Sequence, residues 1–126
     1  MLEIKIKVLE NLNNALFGKM DILLKILIFF IVMDYCTGIM KAIINKKLSS
    51  EIGFKGIFKK ILILFMVGMA TQLDVILKNV GIRYIVITFY LVNEGLSIIE
   101  NASLIGLKVP NKIKDTLEVL TRKKEK

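Results

Sequence analysis

The residues that can do chemistry in this sequence are ionisable and polar side chains set inside apolar runs. At about 100° per residue, Asp34, Gly38, Lys41 and Asn45 fall on one stripe of a helix. Gly68, Thr71, Gln72 and Asp74 share a second polar side, and Tyr90, Glu94, Ser97 and Asn101 recur at helical spacing on a third. A charge at the centre of a bilayer costs about 2.5–3.5 kcal/mol on insertion scales. Two arrangements relieve that cost. In the first, the groups pair inside one copy, with Asp34 reaching Lys41 two turns on and hairpin packing burying the rest. In the second, the stripes face a water-filled cavity or a helix–helix interface that opens in an oligomer. On that second arrangement Asp34, Gly38, Lys41, Thr71, Asp74, Glu94, Ser97 and Asn101 are the candidate pore-lining or oligomer-contact residues.

Other chemistry is excluded early. The chain has no His and one Cys, Cys36, so Cys/His zinc sites, His-based triads and an intrachain disulfide are ruled out. Neither GxGxxG nor GxxxxGK[ST] occurs. Asp74, Glu94 and Glu100 offer carboxylates, but no fixed spacing gathers them, and a hard cation needs several oxygens at close range. No enzymatic activity, catalytic residue, metal or cofactor is expected.

The elements that must position these stripes follow from composition. The 126 residues are enough for one domain, and 55% of them are apolar, above the ~45–50% of a soluble domain. Mean hydropathy is +0.64. A soluble fold of this size buries only about two-thirds of its surface and cannot hide so much hydrocarbon. Yet 19 Lys and Arg against 11 Asp and Glu leave a charge of +8. The charges flank apolar runs and do not pave one polar face, so a membrane partner is expected and nucleic acid is not.

Three apolar segments, 22–44, 61–77 and 82–99, read as spans of the ~20 residues a bilayer needs. The second reaches that length only by including Ile57 and Phe58, and the third is marginal; a re-entrant third segment is the alternative. Lys and Arg alternate along the chain. Lys5, Lys7 and Lys19 precede the first span, and Lys41, Lys46, Lys47, Lys55, Lys59 and Lys60 follow it. Lys78 and Arg83 lie between the second and third; seven more, from Lys108 to Lys126, come last. The positive-inside rule then places the N-terminus outside and the C-terminus in the cytoplasm.

Flanking segments complete the reading. Residues 1–17, with Leu2, Ile6, Leu9 and Leu16 towards one side, form either a surface-lying amphipathic helix or a frayed leader, and lack the pattern of a secretory signal. Ser49 or Ser50 can cap the turn that follows, and Gly53 and Gly56 permit a sharp re-entry into the bilayer. Gly38, Gly68 and Gly95 let helices approach closely. Cys36 reads as a buried apolar residue. Pro110 suits the first position of a helix whose Ile113, Leu117 and Leu120 share a face, followed by a basic tail from Arg122 to Lys126. The expected architecture is all-α and integral to a membrane. It is one domain over 1–126: a leader at 1–19, three transmembrane helices within 20–101, and a cytoplasmic amphipathic helix and tail at 102–126.

Several of these residues carry a resemblance. They are Asp34, Tyr35, Thr37 and Gly38; then Ser50, Gly53, Gly56 and Lys60; then Asn93, Glu94, Gly95, Ser97, Glu100 and Asn101; and last Pro110. In that order and spacing, over about residues 18–120, the sequence resembles the toxin-secretion/phage-lysis holin family. The run Asn-Glu-Gly-x-Ser-x-x-Glu-Asn is its most specific piece. The resemblance implies a multi-pass protein of the bacterial cytoplasmic membrane that homo-oligomerises in lipid. It forms lesions through which an endolysin, or a large toxin, leaves the cell, and an antiholin is a further partner. It implies no enzymatic activity. The alternatives are an antiholin of the same fold, or a small ion or solute channel or transporter subunit. Against a transporter stands the absence of an inverted repeat or paired broken helices. Holins often use two starts with opposing effects, and Met20 is the possible second start here.

Overall fold

The structure, a computed structural model, describes residues 1–125, with side chains through Leu120. Lys126 and the side chains of the basic tail lie outside the described residues. Five helices follow one another: α1 (Leu2–Phe17), α2 (Ile22–Ile44), α3 (Ser50–Ile76), α4 (Ile82–Ile105) and α5 (Asn111–Glu125), with no strand among the described residues. The all-helical expectation is met.

Local chemistry sets the helix ends. Asp21 caps α2, its Oδ1 accepting from the Leu24 amide at 3.0 Å. Ser49 caps α3 in the same way, its hydroxyl accepting from the Ile52 amide at 3.2 Å. The chain leaves α3 through Lys78 and Asn79 at φ 58 and 61 and enters α4 through Gly81 at φ 90. Asp74, near the end of α3, accepts from the Ile82 and Arg83 amides at 2.9 Å each. It thereby satisfies two of the orphan donors that open α4. Gly106, at φ 112, ends α4, with its amide and that of Leu107 bonded back to the Ser103 and Ala102 carbonyls.

Two features differ from expectation. First, α3 starts at Ser50 and not near residue 61, so Gly53 and Gly56 lie inside a helix and make no re-entrant turn. The Ser49 cap nucleates the helix early. The glycines instead leave room for Tyr35 of α2, whose ring lies 3.3 Å from where a Gly56 Cβ would stand. Second, two helices, α2 and α4, are long and apolar enough to cross a membrane, where three were expected. At 1.5 Å per residue the 23 residues of α2 rise about 34 Å, more than a ~30 Å hydrocarbon core. The 27 residues of α3 are longer still, but Lys55, Lys59 and Lys60 occupy its first half and Gln72 and Asp74 its last turns. The family resemblance and the two apolar helices point to a membrane protein.

The helices pack around α4, which meets α2 along most of its length and carries α3 and α5 on its other sides. Leu24, Leu27 and Ile31 of α2, Ile63 and Val67 of α3, and Ile87 and Leu91 of α4 form the core. Phe29, Phe58, Phe65 and Phe89 point outward, each more than half exposed. A water-soluble monomer does not leave aromatics bare on this scale. Cys36, expected inside, is also exposed.

The flanking helices are not detached. α5 folds back so that Leu117 is buried against Gly95 and Phe30, at mid-height on α4 and α2. α1 packs on α3, with Phe17 beside Gly68, and Gln72 donates to the Ala15 and Leu16 carbonyls at 2.7 and 3.2 Å.

Candidate functional site

α2 and α4 run the same way, and Asp34 and Glu94 each stand about 18 Å along their helices at 1.5 Å per residue. The two carboxylates therefore meet at one level, near mid-length. Lys60 enters from the antiparallel α3. Its Nζ donates to Glu94 Oε2 at 2.6 Å and to Asp34 Oδ2, forming one ammonium between two carboxylates. All three side chains are largely buried.

Asn101, two turns below Glu94 on α4, completes the cluster. Its Nδ2 donates to Asp34 Oδ1 at 3.1 Å and to Thr37 Oγ1 at 2.9 Å. The Thr37 hydroxyl in turn donates to the Met33 carbonyl at 2.9 Å. Gly38 lies beside this approach without being required for it, since a Cβ there would make ordinary contact 3.8 Å from Asn101 Nδ2. Ser97 is half-buried on the same face of α4. No buried side-chain polar atom among the described residues lacks a partner. Taking these charges out of water costs several kcal/mol per ion, and pairing with full hydrogen bonding offsets it. The arrangement is suited to hold three helices in register, and to come apart only when its members find other partners.

The structure thus brings Asp34, Gly38, Glu94, Ser97 and Asn101 together. It does not pair Asp34 with Lys41. The lysine that reaches Asp34 is Lys60, which the sequence reading counted among loop charges. Lys41 lies on the wall of a cleft that borders the cluster, where Asp34, Lys60 and Asn101 also line it. Thr71 is buried, and its hydroxyl donates to the Val67 carbonyl at 2.8 Å. Asp74 caps α4 and joins no stripe. Among the other motif residues, Tyr35 donates to the Gly53 carbonyl at 3.4 Å, and Gly95 accommodates Leu117. Ser50, Asn93, Glu100, Pro110 and Met20 are exposed. Among the described residues no three His, Cys, Asp or Glu side chains gather to hold a metal.

A second polar junction, centred on Arg83, escaped sequence reasoning. Arg83 Nε donates to the Phe17 carbonyl at 2.7 Å and a terminal nitrogen to the Lys19 carbonyl at 2.8 Å. Its other terminal nitrogen pairs with Asp21 Oδ2 at 2.9 Å. This guanidinium ties the end of α1 and the α1–α2 link to the start of α4. Partial burial pushes the Asp21 carboxyl up, but the Arg83 hydrogen bond and the Leu24 amide outweigh it and hold the group below its ordinary value. The available signal was one Arg at the start of an apolar run, where a lone positive charge needs a partner.

Outward aromatics, two span-length helices and a buried three-helix ion cluster point to a small helical protein of a membrane. The profile of the bacteriophage holin family matches residues 11–122, and the chain belongs to that family. It is 38% identical over 115 residues to a probable holin of Bacillus phage phi105, covering 88% of this chain and 84% of that one. An uncharacterised 14.9 kDa protein of Clostridium perfringens is 43% identical over 118 residues, covering 92% of this chain and 89% of the other. An uncharacterised protein of Listeria monocytogenes is 46% identical over 109 residues, covering 86% and 78%. No solved structure matches the chain. Membership of this family supports a holin role, and with the apolar helices it points to the cytoplasmic membrane.

Proposed function

We propose that this protein is a holin that oligomerises in the bacterial cytoplasmic membrane and opens lesions through which an endolysin, or a large toxin, leaves the cell. The observation that carries the reading is the Asp34–Lys60–Glu94 cluster in a chain of the holin family. A single copy keeps its intramembrane charges quiet by pairing them internally. Copies therefore accumulate in the bilayer without harm. At high density the same groups find partners on neighbouring copies or in water, and the cost of separating α3 from α2 and α4 falls with each contact. Assembly is then cooperative and abrupt. Asp34, Gly38, Lys41, Thr71, Asp74, Glu94, Ser97 and Asn101 are the residues proposed to line or seal the lesion.

In this reading α3 crosses together with α2 and α4, with the N-terminus outside and the basic α2–α3 and α4–α5 links in the cytoplasm. Lys59 and Lys60 then stand in the cytoplasmic half of α3, where a long side chain keeps its stem among lipid tails and its charge nearer water or a carboxylate. Collapse of the membrane potential acts as a trigger, because a full charge moved across it is worth about 2.3 kcal/mol per 100 mV.

The test is induced expression beside a cytoplasmic endolysin that lacks a signal sequence. Optical density and endolysin release are followed with and without an energy poison. A quiet interval ending in abrupt lysis, advanced by the poison, is expected. Gradual growth arrest with the endolysin retained inside would contradict the proposal and favour a small-ion channel or an antiholin.

A further inference from the structure

Lys41 and Asn45 near the end of α2, Lys47 in the link, and Lys55 and Lys59 on α3 face a common cleft of about 440 Å³. That volume falls in the ~300–1,000 Å³ range of small-ligand sites. Asp34 is the one carboxylate in its described walls, at the deep end, and it is already engaged by Lys60 and Asn101. Among the described residues no carboxylate forms an ion pair with Lys41, Lys47, Lys55 or Lys59. Four lysines therefore line one hollow beside the Lys60 ammonium, and the single carboxylate there is already paired. The rest of its wall joins the apolar Ile39, Ala42 and Ile52 to the polar Ser97 and Asn101. Tyr35 holds the two helices around it, through the Gly53 carbonyl and against Gly56.

We propose that this cleft binds the phosphodiester headgroup of an anionic phospholipid, one lipid per copy. The lysines take the phosphate oxygens, and the acyl chains leave along the apolar wall. Basic pockets between membrane helices on the cytoplasmic side suit such headgroups. Scattered surface lysines attract anionic lipid without stoichiometry; a walled cleft gives a defined site and couples lipid to the α2–α3 spacing. A free phosphate ion offers the same oxygens but leaves the apolar wall bare. The inference rests on the membrane placement proposed above, and not on lesion formation.

The test is native mass spectrometry of the full chain released from detergent micelles, titrated separately with phosphatidylglycerol, phosphatidylcholine and inorganic phosphate. One bound phosphatidylglycerol is expected, at least about fivefold tighter than phosphatidylcholine, with no comparable retention of inorganic phosphate. The pair Lys55→Gln and Lys59→Gln should weaken phosphatidylglycerol about tenfold or more. The pair Lys46→Gln and Lys108→Gln removes the same charge outside the cleft and should change binding less than about twofold. Circular dichroism of both variants checks that the helices are retained. Equal losses in the two variants, equal binding of phosphatidylcholine, or equally tight inorganic phosphate would overturn the site. Carbonate extraction of cell membranes reads the placement separately: release of the wild-type chain would overturn the placement, whereas retention with equal losses in both variants would overturn the cleft alone.

Discussion

Lys60 donates to Glu94 at 2.6 Å, joining α3 to α4 across a separation of 34 positions. The same ammonium engages Asp34 on α2, so one side chain ties three helices at mid-height. Two carboxylates share one base, and Asn101 supplies the further donor that Asp34 needs. The cluster is held by pairing, and every member depends on the others.

Removing the base alone should be the most damaging change. Lys60→Met leaves two carboxylates facing each other in a largely buried place, and breaking a buried pair in this way costs about 3–5 kcal/mol. Replacing all three, as Asp34→Asn, Lys60→Met and Glu94→Gln, removes the charges together and should cost clearly less. Thermal unfolding followed by helicity in micelles checks this. A triple variant no more stable than Lys60→Met would contradict it.

The docking of α5 depends on a missing side chain. A Cβ at position 95 would lie 3.0 Å from both Leu117 methyls and 3.2 Å from Phe30. Alanine is tolerable there, because the methyl end of Leu117 can turn away. Gly95→Leu should displace α5 and raise trypsin cleavage at the exposed Lys112 and Lys114 severalfold. Adding Leu117→Ala should restore part of the protection. Unchanged cleavage in Gly95→Leu would show that α5 does not depend on this contact.

The Asp21–Arg83 junction should be acid-labile. The folded-state pKa of Asp21 is lowered, so its contribution is full above the ordinary carboxylate value of about 3.9. That contribution is lost as pH falls through the lower folded value. Asp21→Asn keeps an effective cap but loses the charge. The variant should melt below the wild type at neutral pH, and the gap should close as pH falls below the ordinary carboxylate value of about 3.9. A gap that stays constant with pH would contradict an ionic role.

Much of this was legible in the sequence, and what was not shares one cause. The bounds of α2, the capping role of Ser49, the start of α4 at Ile82 and the apolar face of α5 follow from local spacing and cap chemistry, and the structure agrees; α4 runs on to Ile105, past the apolar segment that ends at 99. The stripes of α2 and α4 were legible too, because helical periodicity assigns a residue to a face. Periodicity does not say which residue on another helix it meets. Spacing therefore offers Asp34 the Lys41 of its own helix and gives no sign of Lys60, 26 positions away. Gly53 and Gly56 misled for a related reason. Glycine weakens a helix by roughly 0.5–1 kcal/mol, which reads locally as a break, while the Tyr35 contact that uses the space is a tertiary fact. The motif residues were found as a list; only the packing shows that Tyr35 meets Gly53 and Gly56, and Asn101 meets Asp34 and Thr37.

Topology makes a separate prediction. In a Cys36→Ala background, Lys78→Cys should react with a membrane-impermeant thiol reagent added to intact cells, and Lys108→Cys should react only after permeabilisation. Both sites lie outside the helices and are exposed. Reaction of both from the same side would exclude an odd number of crossings between them.

The central claim is that internal pairing at Glu94 keeps the single copy quiet. Its most direct test is the lysis time of Glu94→Gln at matched membrane levels, with the cytoplasmic endolysin present. The variant keeps the shape of the side chain and removes the carboxylate charge that pairs with Lys60, so the quiet interval should shorten and abrupt lysis should come earlier than in the wild type. Lysis on the wild-type schedule, or later, would contradict the account.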